Sequence, residues 1–69
     1  MRLTRGGFYE TDLGTQFQCV AVNDRTKQAV FRTHEGKFFI YEQRANIWVD
    51  RNALENRCRL EYIKKELIE

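Results

Sequence analysis

The chain has no proline, one histidine, two cysteines and only four glycines among its 69 residues. Each shortage excludes something. One histidine and two cysteines do not make a structural zinc quartet, which takes four ligands, so neither a metal nor another cofactor is expected. Cys19 and Cys58 read instead as reduced, buried thiols acting as small hydrophobes. The chain shows no run of about 18 apolar residues and no charged-then-apolar leader, which predicts a cytoplasmic protein without a membrane span. Gly6-Gly7 has no Walker or dinucleotide-binding continuation. His34 falls at a predicted hairpin tip beside Glu35, where a general base would be solvated and unsupported. Neither cysteine has an evident base to activate it. Glu10 and Asp12 lie in a loop with nothing to raise either pKa. No catalytic centre is therefore expected.

What is present is aromatic and charged. Hydrophobic residues make up 42% and charged residues 32% of the chain, which separates it from disordered sequences. Nine aromatic residues are enough to fill a small core. The length leaves room for one domain, residues 1–69. A domain of this size buries about 60% of the surface its unfolded chain exposes. The formal net charge is +2, with eight arginines against four lysines, a mild excess for a dedicated nucleic-acid binder.

Apolar alternation and turn residues give the layout. An opening strand is expected over Leu3–Tyr9, then a loop to Thr15. Gln16–Asn23, Gln28–Thr33 and Phe38–Glu42 read as a three-stranded antiparallel meander. Its turns are Asn23–Lys27 and His34–Lys37. Gln43–Asn46 reads as a loop and Ile47-Trp48-Val49 as a short apolar run. Asp50 can cap a helical turn through Glu55. Cys58, Leu60 and Tyr62 alternate with Arg57, Arg59 and Glu61, which predicts a closing strand over about 57–64. The end of the chain is left to fray or to add a helical turn. The expected core is Phe17, Cys19 or Val20, Val30, Ile40, Trp48, Leu54, Leu60 and Tyr62. Phe38 and Phe39 are adjacent in a strand, so one of them should be exposed and mark a contact surface.

The fold class expected is mostly β: a small SH3-like barrel of about five antiparallel strands with one short helical turn before the last. Gly7-Phe8-Tyr9, Leu13-Gly14-x-x-Phe17, Val30-Phe31-Arg32, Gly36-x-Phe38 and Ile47-Trp48-Val49 together resemble the small SH3-like barrel proteins of phages and prophages, in spacing alone. The resemblance implies a non-catalytic binding module, a phage-type regulator or inhibitor docking on a host protein. The alternative is a nucleic-acid-binding barrel using an arginine and aromatic face. The partner-binding residues expected are Arg44, Trp48, Arg51, Arg57 and Arg59, since arginines beside an aromatic hold phosphates and stack on bases. Against this, Glu42, Asp50, Glu55 and Glu61 stand close enough in sequence to neutralise those arginines, and Trp48 has the setting of a core lid. A homodimer through an edge strand is a further option the pattern leaves open.

Overall fold

The computed structural model describes residues 1–56 and 60–67. Six strands and one helix follow in the order β1 (Phe8–Thr11), β2 (Gln16–Asn23), β3 (Gln28–Thr33), β4 (Phe38–Arg44), β5 (Ile47–Asp50), α1 (Arg51–Asn56) and β6 (Ile63–Leu67). They form one antiparallel sheet in the order β5-β4-β3-β2-β1-β6. The sheet curls into a nearly closed barrel, its ends joined where Val49 bridges Tyr62 and the Asp50 amide donates to the Glu61 carbonyl at 2.9 Å. Closure of this kind leaves little free strand edge.

The meander and its turns lie where alternation places them. Asn23 accepts from the amides of Arg25 and Thr26 through its side chain, and Lys27 takes the left-handed conformation that ends this turn. Asp50 caps α1, accepting from the Asn52 amide at 3.0 Å.

The differences have physical causes. The opening strand begins at Phe8, later than Leu3, because the chain folds back at Gly6-Gly7, where the Gly7 amide bonds the Thr4 carbonyl. Leu3 thereby drops into the core. Residues 43–46 are no loop: β4 runs to Arg44 and pairs with β5 through a two-residue turn. Its central residues, Ala45 and Asn46, both have positive φ, which matches the twist of the flanking strands. Ile47–Asp50 therefore counts as a sixth strand. The closing strand starts at Ile63 and carries through Leu67, later than 57–64, and residues 57–59 lie outside the described set. Pairing with β1 overrides the helix preference of Lys64, Lys65 and Glu66.

Two bulges set which side chains face inward. On β2, Phe17 and Cys19 face the core, and Val20 is skipped in the pairing with β3. The inward phase then shifts by one, so that Val22 packs on the core opposite Ala29. On β6, Lys64 is skipped in the pairing with β1, which turns Ile63 inward opposite Thr11.

The core is Leu3, Tyr9, Phe17, Cys19, Ala29, Phe31, Tyr41, Trp48 and Ile63. Of the expected core, Phe17, Cys19 and Trp48 are buried and Val30 and Leu54 are half-buried. Ile40, Leu60 and Tyr62 are exposed, a correction: Ile40 lies on the outer side of β4, and Leu60 and Tyr62 precede the paired part of β6. Burial pushes the Tyr41 hydroxyl well above the ordinary tyrosine range, with further upward push from Glu61, Asp50 and Asp12.

A Cβ at Gly7 would stand 3.0 Å from the Tyr9 ring and hydroxyl and 3.1 Å from the Thr4 carbonyl. The Tyr9 hydroxyl also accepts from the Thr4 amide at 2.7 Å, so the ring cannot easily withdraw. Gly7→Ala is expected to lower stability by about 1–3 kcal/mol in urea denaturation, as overpacking does. An unchanged midpoint would show that the fold-back has slack.

Candidate interaction face

Of the sequence-predicted arginine and tryptophan group, the described members are Arg44, Trp48 and Arg51, and Trp48 is withdrawn into the core. Trp48 is 2% exposed, and its indole Nε1 donates to the Met1 carbonyl at 3.2 Å. Arg44 binds Glu42 at 3.0 Å. Arg51 reaches the other oxygen of Glu42 at 3.5 Å and Glu55 at 3.1 Å. These arginines are thus brought together, but around carboxylates that neutralise them. Arg57 and Arg59 lie outside the described residues.

A different face emerges from the strand register. Leu67 pairs with Phe8, Phe8 with Gln18, Gln18 with Arg32, and Arg32 with Phe38. Partners in adjacent antiparallel strands point to the same side, so these residues form one lateral row across five strands on the outside of the barrel. Phe8 is 47% and Phe38 63% exposed, while Phe39, next in sequence, packs on the core. Three interstrand spacings separate the two rings, about 14 Å along the row. Ile40, 44% exposed, and half-buried Val30 extend the apolar surface beside Phe38.

The polar members of the face are specific. Arg32 is exposed and forms no ion pair with any described residue. The neighbouring row holds Glu10, whose carboxylate accepts from the Gln16 side chain at 2.8 Å and meets Lys65 at 3.6 Å. The Gln16 hydrogen bond, helped by Lys65, holds the Glu10 carboxyl below its ordinary value. Between Phe8 and Arg32 the surface opens into a cleft of about 690 Å³, with Gln16, Gln18, His34 and Leu67 on its walls.

Comparison with protein families, curated proteins and solved structures finds no match.

Other groups are structural in setting. Cys19 is fully buried and its thiol donates to the Ala21 carbonyl; burial pushes its pKa up, away from the reactive thiolate. His34 sits exposed after β3, in the turn that Gly36 completes with φ +87°. Among the described residues, no three His, Cys, Asp or Glu side chains are grouped to hold a metal ion, and no helix is long and apolar enough to cross a membrane.

Burial raises the pKa of Asp50 above its ordinary 3.8, against the opposing hydrogen bonds from the backbone at Asn52 and Ala53. A raised carboxyl pKa stabilises the fold below the unfolded value and loses that contribution as pH rises through the folded value. Asp50→Asn retains the capping oxygen and removes the charge. Its stability relative to the wild type should therefore be greater at pH 7 than at pH 3, as measured by urea denaturation at both. A difference of the opposite sign would show that the Asp50 charge is favourable where it stands.

The lateral row was legible only in part from sequence. Phe38 against Phe39 was the available signal, because adjacent strand residues point to opposite sides. Phe8, Gln18 and Arg32 join that surface only through pairings between strands.

Proposed function

We propose that this protein is a small non-catalytic binding module that docks on a protein partner through the outer face of β6-β1-β2-β3-β4. The observation that carries this reading is the row in which exposed Phe8 and Phe38 flank Gln18 and Arg32, which forms no ion pair with any described residue. Aromatic side chains and arginine are the residues that most often concentrate binding energy in protein interfaces. Of the five phenylalanines, Phe17 and Phe31 are buried and Phe39 packs on the core, which leaves the rings of Phe8 and Phe38 for something else to cover. Small size and near-balanced charge fit a regulator or inhibitor that works by occupying a larger protein, as the spacing resemblance to phage barrels also implies.

A nucleic-acid reading draws on the same row, since exposed rings stack bases and arginine holds phosphate. It is the weaker one because the row has a single free cation, while tight polynucleotide binding neutralises several phosphates.

The test is affinity capture from lysate with and without nuclease, comparing wild type with Phe8→Thr/Phe38→Thr. Threonine keeps strand preference at both exposed positions, so the double variant should fold. Wild type is expected to retain a defined protein after nuclease treatment, and the double variant to lose it. Retention by both, or loss on nuclease treatment, overturns the reading.

A further inference from the structure

The chemistry of the outer face also specifies what kind of segment it takes. We infer that the face binds a partner segment in which a carboxylate side chain, seated on Arg32, is flanked by apolar side chains on both sides. This deepens the reading of the same face as a protein-docking surface and rests on it.

Such a segment and the face are complementary in charge and in apolar surface. Arg32 is the row's only charged side chain, exposed and without an ion pair to any described residue. The carboxylate of the neighbouring row, Glu10, is already held by Gln16 and Lys65. Glu42, on the same outward side of β4, is held by Arg44 and Arg51, so among the described residues the outward carboxylates Glu10 and Glu42 are both engaged and Arg32 is left as a charge that a partner can meet. Arginine's planar fork matches a carboxylate in two parallel hydrogen bonds, and covering the flanking rings would strengthen that pair by removing water. On one side of Arg32 stand Phe8 and Leu67; on the other stand Phe38 and Ile40. A matching segment therefore has apolar groups on both sides of its acid.

A second copy of the chain is a poor occupant. The face it would bring offers Arg32 again and, among the described residues, only the outward carboxylates Glu10 and Glu42, which are already held, so neither copy supplies the acid that Arg32 would take. A polynucleotide matches the charge sign but repeats it, and the row supplies one cation where a strand presents many phosphates.

The experiment pans a random-peptide display library against the immobilised full chain, then measures the enriched peptides as synthetic probes on wild type, Arg32→Glu and Phe8→Thr/Phe38→Thr. Amide NMR spectra first establish that each variant is folded. Enriched peptides are expected to carry Asp or Glu between apolar residues. Arg32→Glu should weaken them about tenfold or more, as like charges brought together at an interface do. Changing the peptide's acid to lysine should restore binding to Arg32→Glu and abolish it on wild type. Enrichment without an acid, or equal affinity on Arg32→Glu, overturns this inference. If Phe8→Thr/Phe38→Thr then still loses binding, the docking face stands and only its charge preference falls. If that variant also binds normally, or no peptide is enriched, the docking face falls too. Oligo(dT) binding that is lost in Arg32→Glu and falls steeply with salt would replace the inference with a nucleic-acid site. A dimer in gel filtration that Phe8→Thr/Phe38→Thr dissociates would replace it with self-association.

Discussion

Phe31→Ala should remove about 3–5 kcal/mol of stability, a large share of what a chain of this size holds. Phe31 is 0% exposed at the centre of β3 and meets three other aromatic rings of the core. It stacks on Phe17 with ring centroids 4.3 Å apart and meets Tyr41 and Tyr9 edge-on at 5.3 Å and 6.0 Å. Replacing a buried phenylalanine with alanine costs about 3–5 kcal/mol, from lost burial and from the cavity left behind. Domains are stable by roughly 0.05–0.15 kcal/mol per residue, so a chain of this size holds only about 3–10 kcal/mol. The loss is therefore comparable with the total. Circular dichroism and urea denaturation read it directly, with Phe31→Leu as the milder control. A loss below about 2 kcal/mol would mean that the surrounding rings collapse into the space.

Thr11→Val should be the most damaging change among the polar residues. Thr11 is buried at the end of β1, where the barrel closes. Its hydroxyl donates to a Glu61 carboxylate oxygen and accepts from the amides of Thr15 at 3.1 Å and Leu13 at 3.3 Å. Valine fills nearly the same volume, so the loss is almost purely one of hydrogen bonding. Buried groups left without partners cost about 1–3 kcal/mol, and bonds to charged groups lie at the upper end. About 2–3 kcal/mol is expected from urea denaturation, with most of it recovered in Thr11→Ser. The same seam holds the Asp12 amide on the Tyr62 carbonyl and the Tyr62 amide on the Asp12 carboxylate, each at 3.0 Å. Those two amides should exchange with solvent faster in Thr11→Val than in wild type. Unchanged stability would show that Glu61 and the loop amides find water in place of the hydroxyl.

Local chemistry alone determined the meander over residues 16–42, the turns around Asn23 and Gly36, the Asp50 cap and the buried setting of Phe17. Alternation and turn preference act between residues close in sequence, so they can be read without knowing the fold. The ends of the barrel were decided by tertiary structure. Leu3 is buried because the chain folds back at Gly6-Gly7, and Ile63 rather than Tyr62 faces inward because β6 skips Lys64 where it pairs with β1. A bulge shifts the inward phase by one residue, and a period-of-two reading cannot see it because its cause is the partner strand. The candidate face has the same origin. Arg44 and Trp48 are near neighbours in sequence, yet one is tied to Glu42 and the other is in the core. Phe8, Gln18, Arg32 and Phe38 are far apart in sequence and become one surface through β-pairing alone, because register, which belongs to pairs of strands, decides which side chains stand side by side.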